Sequence, residues 1–430
     1  MKTDHYTLQC LSCGKIAEDS HTGFLLTCPA EHPPSLLRAI YPISAFEIDS
    51  QISGIFRFAR WLPVRRILND ADGPAVFHGK NLGKRLGLEN LYFVFNGYWP
   101  EKGAFMETCT FKELEAPPVC ARIPEEEHRT LVVSSAGNTS RAFLHICSQY
   151  DIPLVVVVPE AGLSSLWITR KKSPGVTLVA LQGDADYLDA IRVGKMIAAG
   201  DDYFPEGGAQ NVARRDGMGT VLLSFVEKTG RLPDHYFQAV GSGTGGIANW
   251  EMSRRLHESG KFGSTKMRLH LSQNIPFTPM VDAWNVHSRA LLPVSEQEER
   301  ERAKRIGAFV LSNRQPPYSL TGGVYDALED SEGFMYAVSN DEANKAGSLF
   351  EREEGCDLDP AAKVAVASLV QAVERGTIQR GDLVALNITG GGYKLLAREK
   401  KQHVLTPDIV LRQDELTPHN VFARLHARRS

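Results

Sequence analysis

Between Leu131 and Val240 the chain alternates between two hydrophobic patterns. Leu131-Val-Val-Ser-Ser135 and Pro153 to Val158 are apolar runs of strand length, and Ser140 to Tyr150 between them places Phe143, Leu144, Ile146 and Cys147 at helical spacing. The alternation continues with a strand at Val176-Thr-Leu-Val-Ala-Leu181, a helix over Tyr187 to Ala199, a helix over Gly217 to Thr229 and a strand at His235 to Val240. Leu383-Val-Ala-Leu-Asn-Ile388 is a further apolar strand near the C-terminus. Repeated strand–helix units of this length predict a parallel sheet flanked by helices, so the expected fold class is α/β.

Three units are expected. Residues 1–40 form a small N-terminal module, 115–234 a smaller α/β unit, and 41–114 together with 235–430 the larger unit. Ser295 to Arg305 is a run of mixed charge, which predicts a solvated helix face or a connector. No internal repeat or low-complexity tract interrupts the pattern.

Composition narrows the function classes. With 430 residues, 43% of them hydrophobic and 23% charged, the chain can bury a sizeable core. A formal net charge of −3 gives no general pull toward nucleic acid or an anionic membrane, so an anionic ligand has to be held by local groups. Met1-Lys-Thr-Asp-His-Tyr6 lacks the apolar core of a signal peptide, and runs such as Leu154-Val-Val-Val-Val158 are too short to cross a bilayer. The expectation is a cytoplasmic protein that binds neither membrane nor nucleic acid.

Seven cysteines, three of them within the first thirty residues, read as reduced thiols rather than a disulfide framework. Cys10-Leu-Ser-Cys13-Gly places two thiols on one tight turn, and Cys28 with His32 would complete a tetrahedral set for zinc. The alternative is a ribbon-shaped module without the metal. Cys109, Cys120, Cys147 and Cys356 read as small buried hydrophobes, with Cys109 set apart by its place three residues before Lys112.

Four segments carry the candidate chemistry. Lys112 sits in Cys109-Thr-Phe-Lys-Glu-Leu-Glu115, flanked by Phe111 and Leu114, where desolvation would keep its amine nucleophilic. In Ser134-Ser-Ala-Gly-Asn-Thr-Ser140 a turn joins strand to helix. Backbone N–H groups of Ser135, Ala136, Gly137 and Thr139 could bind a carboxylate there, and Asn138 could donate to a ring oxygen. Gly241-Ser-Gly-Thr-Gly-Gly246 follows a strand and opens a helix, the arrangement in which Gly243, Thr244, Gly245 and Gly246 would cradle a phosphate. Thr389, at the end of Leu383–Ile388 and before Gly390-Gly-Gly392, offers a hydroxyl to a ring nitrogen. A lysine, an asparagine loop, a phosphate loop and a threonine–glycine loop in this order point to pyridoxal phosphate.

With these segments the chain resembles the fold-type II pyridoxal-phosphate enzymes, which share a fold with the tryptophan synthase β subunit, and among them the threonine synthase group with its ribbon-like N-terminal module. Asn96-Gly-Tyr-Trp-Pro-Glu-Lys-Gly-Ala-Phe-Met-Glu-Thr-Cys-Thr-Phe-Lys-Glu-Leu-Glu-Ala116 is most similar to the archaeal cysteate synthase family of methanogens. Threonine synthases typically carry Ser-Phe-Lys-Asp-Arg-Gly around their lysine, and here the sequence is Thr110-Phe-Lys-Glu-Leu-Glu115. The resemblance implies Lys112 as the Schiff-base lysine, Asn138 at the ring oxygen, Thr389 at the ring nitrogen and Gly243 to Gly246 at the phosphate.

It also implies β-replacement, in which O-phospho-L-serine loses phosphate and sulfite adds to give L-cysteate for coenzyme M biosynthesis, by a homo-oligomer. Both substrates are anions, and Lys102, Arg141, Arg214 and Arg215 are the candidate cations. Two other readings are a threonine synthase acting on O-phosphohomoserine and a non-catalytic regulatory protein on the same scaffold.

Overall fold

In the computed structural model of the chain, which describes residues 5–42, 46–135 and 137–429, two parallel sheets lie side by side with helices on their faces. The larger sheet has six strands in the order Phe334–Val338, Arg268–Asn274, His235–Ala239, Leu383–Ile388, Asn90–Phe95 and Ala75–His78. All its pairings are parallel except the last, where Ala75–His78 runs antiparallel to Asn90–Phe95. The smaller sheet has five strands, all parallel, in the order Tyr203–Pro205, Thr130–Ser134, Leu154–Pro159, Val176–Leu181 and Ile409–Leu411. Every residue of Leu154–Pro159 and of Leu383–Ile388 is buried, which is why these strands are apolar without alternation.

The expected strands at 176–181 and 383–388 have those bounds, and the others agree within a residue or two. Two expectations change. The helix expected from Gly217 starts at Val212, where the side chain of Asn211 accepts a hydrogen bond from the N–H of Ala213. Its first turns hide in the sequence because Arg214, Arg215 and Asp216 are polar, yet all three are buried against partners of opposite charge. The second change concerns the C-terminal segment. The larger unit was expected to hold all of 235–430, but Ile409–Leu411 hydrogen-bonds to Val176–Leu181 of the smaller sheet, and the helix Pro418–Arg429 packs beside it.

The N-terminal module is a three-stranded antiparallel sheet in the order Ile16–Ala17, Thr7–Cys10, Leu37–Ile40. It is fixed to the rest by buried charge: Arg122 reaches both oxygens of Asp19 at 2.7 Å. Glu296–Lys304 within the mixed-charge run is a largely exposed helix capped by Ser295. No helix among the described residues is long and apolar enough to cross a membrane.

Three strand ends point into one crevice, the position where open parallel sheets bind ligands. His235–Ala239 leads to the loop before the helix Thr244–Glu258, Leu383–Ile388 ends at Thr389, and Thr130–Ser134 leads to the loop before the helix Asn138–Gln149. The loop after Thr389 closes on Gly392, whose φ of 80° is left-handed and whose Cα faces the carbonyl of Tyr98. Gly392→Ala therefore meets both backbone strain and a clash. A loss of about 2 kcal/mol or more in stability is expected, read as a lower denaturant midpoint at unchanged slope.

Candidate active site

Lys112 lies in a short 3-10 turn, Phe111–Leu114, that begins at Thr110. This turn is sewn to the loop after Leu383–Ile388 by backbone hydrogen bonds: the N–H of Phe111 donates to the carbonyl of Thr389 (3.0 Å), and the N–H of Gly391 to that of Cys109 (3.2 Å). To make both contacts Cys109 takes a left-handed φ of 54°. Its side chain is buried, as the sequence predicts. Lys112 and Thr389 therefore share one cavity although 277 residues separate them.

That cavity gathers the sequence-predicted residues. Lys112, Ser135, Gly137, Asn138, Thr139, Gly243, Thr244, Gly245 and Thr389 all line it. Gly246 lies one residue further, in the first turn of Thr244–Glu258. Ala136 falls outside the described residues. The helix Thr244–Glu258 begins at Gly243, whose left-handed φ of 79° turns the chain so that the first N–H groups of the helix open toward the crevice.

Three side chains test whether pyridoxal phosphate fits. The hydroxyl of Thr389 is buried and has no hydrogen-bond partner among the described residues, so a donor or acceptor site stands ready at the strand end. Asn138 accepts from Arg141 through Oδ1 (3.1 Å), which leaves its NH2 as a donor in the cavity. The Lys112 Nζ stands 3.2 Å from Oε2 of Glu115. Burial lowers the pKa of Lys112, against the opposing pull of Glu115. The donor set matches a planar, phosphorylated ring held at its nitrogen, its oxygen and its phosphate.

Sequence reasoning missed the charge network around the lysine. Arg214 donates to Glu115 through Nη2 (2.7 Å) and Nε (3.0 Å), to Glu206 through Nη1 (2.9 Å), and to the hydroxyl of Thr139 (3.2 Å). Burial would lower the Arg214 pKa, but Glu115 and Glu206 outweigh it and hold the guanidinium charged. Burial raises the Glu115 carboxyl, yet Arg214 and Lys112 bring it below its ordinary value. Lys112 and Arg214 are the only cations among the lining residues.

The other candidate cations stand elsewhere. Arg141 binds the carbonyl of Ser165 and the Tyr393 hydroxyl and lies over the Trp167 ring, one layer behind Asn138. Arg215 is buried against Glu251, and Lys102 sits over Phe77 and Trp99. Gln238, Tyr187 and Asn313 line the cavity without having been read from the sequence. Gln238 belongs to a polar ladder beneath the site, in which Asn387 donates to Gln238 (2.9 Å) and Asn96 donates to Asn387 (2.7 Å). Polar residues interrupting apolar strands were the available signal.

In the N-terminal module the ligand atoms of Cys10, Cys13, Cys28 and His32 all lie within 4.8 Å of one another. The sulfurs of Cys13 and Cys28 are 3.7 Å apart, close to the roughly 3.8 Å edge of a tetrahedron with Zn–S bonds of about 2.3 Å.

Residues 80–390 match the family described as "Pyridoxal-phosphate dependent enzyme". The chain is 46% identical over 407 residues to a cysteate synthase of Methanosarcina acetivorans, covering 94% of this chain and 96% of the relative. It is 49% identical over 408 residues to a cysteate synthase of Methanosphaerula palustris, covering 94% of this chain and 92% of the relative. Among solved structures, maize serine racemase superposes with a TM-score of 0.57 at 13% identity, over 76% of this chain and 92% of that one, a likeness of fold.

Glu113, next to the lysine, does not line the cavity. Its Oε2 accepts from the N–H and the hydroxyl of Thr108, both at 2.6 Å, and burial, with Asp72 and Glu107 adding, pushes its carboxyl up to about 8. A carboxyl raised on folding stabilises the fold below its unfolded pKa, and that contribution is lost as pH rises through about 8. Stability should therefore fall from about pH 5 to about pH 8, and Glu113→Gln should make that slope shallower. Denaturant unfolding of both proteins across that range checks it.

Proposed function

The chain belongs to the family of pyridoxal-phosphate dependent enzymes and, within it, to the cysteate synthases. From that membership we propose that it forms L-cysteate from O-phospho-L-serine and sulfite by β-replacement, with Lys112 as the residue that holds the cofactor. The relatedness to cysteate synthases over almost the whole chain carries the reaction. The meeting of Lys112, Asn138, Thr389 and Gly243 to Gly245 in one cavity supports the residue roles.

When bound, pyridoxal phosphate supplies a sink for the negative charge that develops at the α carbon of an amino-acid substrate. The chain's own groups do the rest. The N–H groups at the start of Thr244–Glu258 would hold the cofactor phosphate, and the Asn138 NH2 would donate to the ring oxygen. Thr389 would offer a neutral hydroxyl to the ring nitrogen, a partner that would not favour the charged form of that nitrogen as a carboxylate would. The N–H of Ser135 is taken by the carbonyl of Val157 (3.2 Å) and that of Gly137 by the Ser135 hydroxyl (3.0 Å), so the N–H of Thr139, in the first turn of Asn138–Gln149, is the one that would hold the substrate carboxylate. Lys112, its pKa lowered by burial, takes the α proton of the substrate as general base, and Glu115 orients it at 3.2 Å. Phosphate leaves the β carbon and sulfite adds in its place.

Glu115 also explains why the residues after the lysine differ from those of threonine synthases. It is bound on both oxygens by Arg214, so the acid serves to fix a cation beside the lysine.

The product assay is direct. Protein loaded with pyridoxal phosphate should convert O-phospho-L-serine and sulfite to cysteate and phosphate, and O-phosphohomoserine should yield little threonine. Robust threonine with no cysteate would overturn the substrate assignment.

The N-terminal cluster is proposed as a zinc site that stabilises the module without touching the reaction, on the strength of its four convergent ligand atoms. Purified protein should carry one zinc per chain. Cys10→Ser with Cys13→Ser should remove it and lower the melting temperature, and the protein that remains folded should turn over normally. A metal-free wild type with an unchanged melting temperature in the double variant contradicts the site.

A further inference from the structure

A second cavity, of about 220 Å³, lies between the N-terminal sheet and the far end of the helix that carries the phosphate loop. The strand Leu37–Ile40 supplies Arg38, Ala39 and Ile40. The last turns of Thr244–Glu258 supply Trp250, Arg254, Arg255 and Glu258, and Leu11, Tyr41 and Trp61 close the sides. None of the cavity's lining residues belongs to the active-site cavity.

Trp61 and Trp250 give the cavity aromatic walls, and its charged lining groups are Arg38, Arg254, Arg255, Glu251 and Glu258. Trp61 is 3% exposed, and its indole N–H has no acceptor among the described residues. Arg254 lies 5.4 Å from the Trp250 ring centroid and makes no ion pair or hydrogen bond among the described residues, and Arg38 reaches only the amide oxygen of Gln9 (3.1 Å). Burial, with Arg254 and Arg255 among the nearby charges, lowers the Arg38 guanidinium pKa against the pull of Glu258 and Glu251.

The remaining charges are nearly settled internally. Arg255 is paired with Asp216 at 2.7 Å, and Glu251 with Arg215 at 3.0 Å. That leaves two guanidinium groups facing one exposed carboxylate, Glu258, a local excess of one positive charge. A buried N–H without an acceptor is costly unless a ligand completes it, and the partly exposed Arg254 guanidinium is open to an anion.

We propose that this cavity is a binding site for a small organic anion, with a carboxylate or sulfonate head on Arg38 and Arg254 and an apolar body against Trp61 and Trp250. Its volume suits a ligand smaller than a typical drug, on the scale of a single substituted ring. Aromatic walls with an arginine stacked on one of them favour such a body over inorganic phosphate.

Calorimetric titration of the cofactor-loaded protein tests this, with benzenesulfonate and benzoate as probes and benzyl alcohol as the neutral control. One of the two anions should bind saturably, one per chain, and the alcohol should not. The titration should be unchanged by saturating O-phospho-L-serine, because the site is separate from the catalytic cavity. Arg254→Gln, on a partly exposed side chain, should weaken binding about tenfold, the loss of one charge-assisted contact. Trp61→Phe should weaken it by a smaller factor. No saturable binding, binding equal in wild type and both variants, or displacement by O-phospho-L-serine would each overturn the proposal.

Discussion

The active site depends on a short backbone seam. The N–H of Phe111 donates to the carbonyl of Thr389, and the N–H of Gly391 donates to the carbonyl of Cys109. The two segments belong to elements far apart in the chain, and this seam, together with the pairing of Leu383–Ile388 with Asn90–Phe95, brings Lys112 and Thr389 to the same cavity. The left-handed Cys109 and the tightly packed Gly392 are the local cost of bringing the two backbones together. The parallel sheet then aims the remaining loops, because the strands before the asparagine loop and the glycine loop end on the same side of the crevice.

Electrostatics sets what this crevice can accept. Lys112 and Arg214 are its only lining cations, and each is already close to a carboxylate. A phosphate can still be held, because the helix Thr244–Glu258 contributes its first N–H groups without any side-chain charge. Glu115 serves two partners at once, holding the lysine and anchoring Arg214, so this acid belongs to the site, whereas Glu113 turns away to Thr108. Loss of Glu115 would leave Lys112 without its carboxylate and Arg214 with Glu206 alone.

The apolar strands and the order of the four segments were legible in the sequence, because each is local: a run of Leu and Val, a lysine between Phe111 and Leu114, a glycine loop between strand and helix. Arg268–Asn274 was not, since its buried His270, Ser272, Gln273 and Asn274 read as polar. His270 bonds to His235 and Tyr336, 35 and 66 residues away, partners that no local window contains. The start of Val212–Thr229 was hidden for the same reason. The roles of Arg214 and Gln238 depend on pairings with Glu115, Glu206 and Asn387, and so became visible only in the folded chain.

The central claim is that the cofactor is carried by Lys112 in this cavity. The most direct measurement is borohydride reduction of the protein loaded with pyridoxal phosphate, followed by digestion and mass analysis of the labelled peptide. The account predicts a single pyridoxyl-modified residue, Lys112, and no modification in folded Lys112→Ala protein. Label on another lysine in the wild-type protein, or undiminished label in the variant, would contradict it.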